Sequence, residues 1–135
     1  MTKFEANKKL EMINSKQTKS NTKKYDLEER TYKFAREVRD FVYKLPKIQG
    51  NYEYISQLIR SSGSIGANYI EANDALSKKD FYNRIKICRK ESKETKYWLR
   101  LVIIGENKYL IDEKNKLVQE ATELMNIFGA INRKS

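Results

Sequence analysis

The sequence predicts an all-α protein: an antiparallel up-down-up-down four-helix bundle with a basic N-terminal tail. Three observations carry this. Turn formers are scarce, with one Pro and five Gly in 135 residues, too few for an all-β fold that turns about every 8–12 residues. Apolar residues recur at steps of three and four along four successive segments, the period of an amphipathic helix. The segments are joined by short connections, which makes consecutive helices antiparallel neighbours. A chain of this length supports one domain with its own core.

Residues 1–24 read as a basic, flexible tail ahead of the bundle at 25–132. Seven lysines there face only Glu5 and Glu11. Thr2-x-x-Glu5 could cap a short helix near 2–13 carrying Phe4, Leu10 and Ile13. The rest of the tail has no apolar residue to bury.

The first helix starts at Asp26, an N-cap with Glu29 near the positive end of the helix dipole. Its seam is Leu27, Thr31, Phe34, Val38, Phe41 and Leu45, and Pro46 stops it. Residues 47–51, with Gly50, read as a loop. The second helix runs from about Tyr52 to about Leu76. Ile55, Ile59, Ser62, Gly66, Tyr69 and Asn73 lie on one side, beside Leu58, Ile65, Ala72 and Leu76. Ser77-Lys78-Lys79-Asp80 opens the third helix as a capping box. Its seam is Phe81, Ile85, Cys88, Ser92, Thr95, Leu99 and Val102, and it stops near Gly105–Asn107. Asp112 caps the fourth, with Leu117, Ala121, Leu124, Phe128 and Ile131 as seam. Stepping by three and four favours packing at small crossing angles.

Composition bounds function. The net charge of +10 and pI near 9.6 favour a polyanionic partner: nucleic acid, an anionic surface or an acidic protein. No apolar run has the length of a membrane span and no signal-peptide core is present, so the expected location is cytoplasmic, with no membrane role. The lone cysteine, Cys88, falls on a seam and reads as a small core hydrophobe. Histidine is absent, which removes Ser-His and Cys-His nucleophile pairs and Cys/His zinc sites. It also removes the RNase chemistry of helical bundles that pair an arginine with a histidine, leaving Arg84 or Arg89 without its partner. The chain reads as no enzyme, with no cofactor and no metal.

Between Arg60 and Glu71 the charge disappears. The stretch SSGSIGANYI replaces the Lys and Glu of an ordinary solvent face with small residues. On a helical wheel Arg60, Ser64, Ala67 and Glu71 lie away from the core, flanked by Gly63 and Asn68. Each glycine inside a helix costs about 1 kcal/mol relative to alanine, and close approach of another element is the usual compensation. Either this helix is packed tightly on two sides within its own bundle, or its outer face docks on another subunit. The third helix has a similar surplus face in Ile87, Glu91, Glu94, Trp98 and Leu101. Its two carboxylates suggest ion pairs with a basic partner, while Trp98 could instead cover a bundle edge. These eleven positions are the candidate oligomer interface.

A broad stripe on the third helix is basic: Lys79, Lys86, Arg89, Lys90, Lys93, Lys96 and Arg100, with Tyr82 and Tyr97 on the same side. Like charges at i, i+4 cost helix stability, so the stripe does not serve the helix. Basic residues interleaved with tyrosine suit phosphates and base stacking. They are the candidate nucleic-acid-binding residues. A basic membrane helix would need a large free apolar face, which the stripe lacks.

The pattern Ser-Ile-x-x-Asn-x-x-Glu, a short loop, then Ser-Lys-x-x-Phe is met by Ser64, Ile65, Asn68, Glu71, Ser77, Lys78 and Phe81. It resembles the bacterial four-helix-bundle family of the ribosomal RNA intervening-sequence proteins and of the accessory variability determinant (Avd) of diversity-generating retroelements. The resemblance spans about residues 25–132. One departure is Glu71-Ala72-Asn73, where many relatives carry Glu-Gly. The resemblance implies a four-helix bundle, a ring-shaped homopentamer and a basic surface. In the retroelement branch it implies binding to nucleic acid and to a reverse transcriptase; it does not imply an enzyme. The expected function is a non-catalytic homo-oligomeric scaffold that binds RNA or DNA through basic surfaces, as an accessory to a structured RNA or a reverse transcriptase. The alternative is a protein-interaction module for an acidic partner.

Overall fold

The computed structural model describes residues 26–135, which form four helices and no strand. The lysine-rich stretch at 1–24 and its candidate helix near 2–13 lie outside the described residues. The helices are α1 (Leu27–Val42), α2 (Gln49–Asn73), α3 (Lys78–Leu101) and α4 (Lys108–Asn132). Each packs on its sequence neighbours, and α4 closes on α1.

Cross-helix pairs fix the directions. Arg30 at the start of α1 bonds Glu120 on α4, while Lys44 just past the end of α1 bonds Glu113. On α2 and α3, Ser61 meets Thr95 and Asn68 meets Arg84. In each pair one number rises as the other falls, so neighbours are antiparallel.

The core follows the predicted seams. Phe34, Phe41, Phe81, Phe128 and Tyr69 are its largest buried side chains. The Tyr69 and Phe128 rings stand 5.9 Å apart, tilted by 54°. Burying each such side chain contributes roughly 1.5–3 kcal/mol. On α2 the core centres on Leu58, Ile65 and Ala72, whereas Ile59 is 46% and Leu76 78% exposed. The buried side of α2 is therefore turned from the Ile55–Ser62 line that the sequence suggested. Ser61 and Ser62 are buried: Ser61 meets Thr95 of α3, and Ser62 lies beside Tyr32 and Ala35 of α1.

Caps and ends agree in part. Asp26 accepts from the Glu28 and Glu29 amides, and Ser77 accepts from that of Asp80. Four boundaries differ from the sequence reading, one of them the end of α2, which comes at Asn73 and not near Leu76. α2 begins at Gln49, so Gly50 and Asn51 are its first turn and not a loop. α4 begins at Lys108, capped by Asn107, whose Oδ1 accepts from the Leu110 amide at 3.2 Å; Asp112 is inside the helix. α3 ends at Leu101, before the expected Gly105, because the Ile103 amide donates to Asn51 Oδ1 at 2.9 Å and leaves the helical ladder. Asn51 is fully buried and its Nδ2 donates to Pro46 O and Ile103 O. One side chain thus ties together both loops at that end of the bundle. Gly105, at φ +78°, makes the turn into α4.

Candidate nucleic-acid interface

α3 presents the basic stripe on the shoulder that leans toward α4. Lys79, Lys86, Arg89, Lys90, Lys93 and Arg100 are exposed, and Lys96 is half-buried. None of the seven makes an ion pair among the described residues. Some cations elsewhere are paired, as Arg30 is with Glu120 and Glu123, Lys44 with Glu113, and Arg60 with Glu91 and Glu94. The stripe concentrates positive charge that the fold leaves uncompensated, the electrostatic footprint of a polyanion site.

The aromatic part of the expectation divides. Tyr97 is 55% exposed, free to offer a ring face at the edge of the stripe. Tyr82 is buried, stands edge-on against Phe81 at 5.0 Å and donates its hydroxyl to Lys134 O at 3.3 Å. Its position one step from the seam pulls it into the core, so it offers no stacking platform. Two cations of α4 extend the basic surface and were not singled out in the sequence. Lys114 donates to Arg100 O, and Arg133 reaches Gly129, against which Arg89 also lies. The signal for them existed only across helices: Gly129 and Arg133 share an α4 face that meets α3.

The small-residue stretch of α2 serves two ends. Ser61 and Ser62 pack inward, and the Thr95 hydroxyl donates to Ser61 Oγ at 2.9 Å. Gly66 faces α1, where a Cβ would meet Thr31 Oγ1 at 2.9 Å. A Cβ on Gly63, by contrast, would meet nothing within 4 Å. Asn68 bonds Ser64 through its amide and accepts from Arg84, so Ser64 and Asn68 are engaged within the chain. Glu71 is exposed. Beside Gly63 and Ala67, a shallow groove of about 480 Å³ runs between α1 and α2, lined also by Thr31, Tyr32, Ala35 and Ile70. Tyr32 and Ile70 stand exposed along it, and Ile59 is exposed in the adjoining hollow beside Gly63 and Tyr32. These three were not among the interface candidates, because the surface they share joins α1 to α2 and appears on neither helix's wheel alone.

The second candidate face is largely an internal one. Glu91 is buried and takes Arg60 Nη1 at 2.8 Å; Glu94 takes Arg60 Nη2 at 2.8 Å. The basic partner expected for the two carboxylates comes from α2 of the same chain. The hydrogen bond to Glu94, helped by that to Glu91, raises the Arg60 pKa, and the same Arg60 hydrogen bond holds the Glu94 carboxyl below the usual range. Trp98 packs against Tyr54 and Tyr97, with ring centroids 6.1 and 5.1 Å away. It covers the α2–α3 seam, and its buried Nε1 has no hydrogen-bond partner among the described residues. Ile87 is half-buried and Leu101 38% exposed.

Cys88 is buried, with its thiol toward Ile65 O at 3.4 Å, and burial pushes its pKa up to about 12. It is a core residue. No described helix is long and apolar enough to cross a membrane.

The bundle and its motif can now be set beside known proteins. The profile of the family described as 23S rRNA-intervening sequence protein matches residues 23–130. The chain belongs to this family. Among solved structures it is similar to a protein of unknown function from the S23 ribosomal protein family of Bacteroides thetaiotaomicron. The two are 31% identical with a TM-score of 0.67, over 78% of this chain and 96% of that one. No curated protein matches. The match covers the described bundle except its last few residues.

Proposed function

We propose that the protein is a non-catalytic, homo-oligomeric scaffold that binds RNA or DNA through the basic face of α3, as an accessory to a structured RNA or a nucleic-acid enzyme such as a reverse transcriptase. The observation that carries this is the stripe Lys86, Arg89, Lys90, Lys93 and Arg100, exposed on one helical side and without ion pairs among the described residues. Such a convex face touches backbone more than bases, so binding depends little on sequence. Support for self-association comes from Gly63, a helical glycine whose Cβ position has no neighbour within 4 Å among the described residues, beside the groove lined by Tyr32 and Ile70. The occupant proposed is a second copy, and a ring of five is what the family resemblance implies.

The test is fluorescence anisotropy with labelled RNA and DNA of equal length at three salt concentrations. Affinity falls with a log–log slope of about −0.7 to −0.9 per phosphate neutralised. Replacing Arg89, Lys90 and Lys93 with Gln flattens that slope by about two to three for each subunit engaged. An unchanged slope, or no binding of either polymer at 50 mM salt, transfers the stripe to the second reading, an acidic protein partner. Light scattering tests assembly: a mass of several times 16.0 kDa is expected, and a monomer throughout the micromolar range overturns it.

A further inference from the structure

Arg89 on α3 and Arg133 at the end of α4 meet over one backbone position. A Cβ placed on Gly129 would lie 3.4 Å from Arg89 Nε and 3.6 Å from Arg133 Nη1. Both arginines are exposed, and neither has an ion pair among the described residues. Two guanidinium groups brought together without a carboxylate repel one another. The negative end of the α4 dipole accounts for a cation from α4 itself. It does not account for a second one reaching across from α3. Gly129 leaves the arginine heads an uncrowded floor at an interior helix position where glycine is otherwise unfavourable. Lying 3.4 and 3.6 Å from one point, the two nitrogens can be no more than about 7 Å apart, a span the oxygens of a single phosphate can bridge, and planar guanidinium forks suit such bridging better than ammonium groups.

We propose that Arg89 and Arg133 form a two-pronged anchor for one backbone phosphate of the bound nucleic acid, which carries the binding surface from α3 onto α4. The anchor rests on the nucleic-acid reading above and adds Arg133 and a defined position to it. Lys86 and Lys93, one helical turn to either side of Arg89, hold the neighbouring phosphates.

The experiment compares the full chain with Arg133→Gln, Arg89→Gln, the double variant and Arg133→Lys. RNA binding is read by anisotropy and fold by circular dichroism. Arg133→Gln is expected to weaken binding about tenfold, the loss of one charge-assisted pair. Arg133→Lys restores only part of it, and the double variant loses much less than the product of the two single losses. Wild-type affinity in Arg133→Gln, or single losses that multiply, overturns the anchor while nucleic-acid binding by the stripe stands. A parallel arm titrates inorganic pyrophosphate and follows the arginine Nε–H resonances by NMR. If no RNA binds at all, the nucleic-acid reading fails. The anchor as an anion site then stands if the residue 89 and 133 signals move together, and falls if either stays still.

Discussion

The Thr31 hydroxyl on α1 stands against Gly66 on α2, 2.9 Å from where a Cβ would be. It cannot easily swing away, because it donates to Leu27 O at 2.7 Å with Glu28 O also in reach at 3.1 Å. Gly66→Ala therefore sets a helix-propensity gain of about 1 kcal/mol against overpacking of about 1–3 kcal/mol. A net loss of stability is expected in chemical denaturation, and Thr31→Ala should relieve most of it.

Gly63, three residues away, predicts the opposite sign. With nothing within 4 Å of its Cβ position, Gly63→Ala should stabilise the isolated fold by roughly 0.5–1 kcal/mol. Gly63→Phe should leave the helices intact by circular dichroism, yet lower the mass seen by light scattering if this face docks a second copy. An unchanged assembly with Gly63→Phe would move the interface elsewhere.

Asn51 holds three backbone groups at 2.8–2.9 Å: Pro46 O, Ile103 O and the Ile103 amide. All three are left without a partner in Asn51→Ala. At about 1 kcal/mol per bond, the variant should lose roughly 2–3 kcal/mol. The freed Ile103 amide should also let the α3–α4 connection open, which amide hydrogen exchange at Ile103 would report. Protection equal to wild type would show that the clamp does not end α3.

Cys88 gives a direct readout of native packing. The thiolate is the reactive form, and burial pushes this pKa up to about 12. At pH 8 the native protein should resist a thiol reagent that labels it rapidly in denaturant. Labelling should therefore follow the opening of the α2–α3 contact. Rapid native labelling would place Cys88 at a mobile edge and not in the core.

The sequence carried the fold because Leu27 to Leu45 and Phe81 to Leu99 repeat at helical spacing, and Asp26 and Ser77 cap where capping residues should. It carried less of the connections. Asn51 looks like a loop asparagine until Ile103, far along the chain, is brought beside it; Asn107 caps α4 although Asp112 is the stronger local signal. The candidate sites divide the same way. One helix's periodicity is enough to place Lys86, Arg89, Lys90 and Lys93 on one exposed side. Arg60 with Glu91, Trp98 with Tyr54, and Arg89 with Arg133 are relations between helices, and a wheel drawn for one helix cannot show what the next helix covers.

The Arg60 bridge yields a pH-dependent prediction. Arg60 donates from Nη1 to Glu91 and from Nη2 to Glu94, both at 2.8 Å. The hydrogen bond from Arg60 is the largest cause of the lowered Glu94 pKa. A carboxyl whose pKa is lower folded than unfolded contributes stability above its unfolded pKa, and that contribution is lost as pH falls through the folded pKa. Arg60 is 52% and Glu94 37% exposed, so their pair alone is worth less than about 1 kcal/mol. Glu91 is 5% exposed, and leaving it without Arg60 raises the expected cost of Arg60→Gln to about 1–2 kcal/mol at pH 7. The gap between wild type and Arg60→Gln should stay constant from neutral pH down to about 5, then narrow below the ordinary glutamate value of about 4.3. Urea denaturation at several pH values measures that gap. A gap that stays as wide at pH 3 as at pH 7 would show that Arg60 acts through the packing of its side-chain stem and not through its charge.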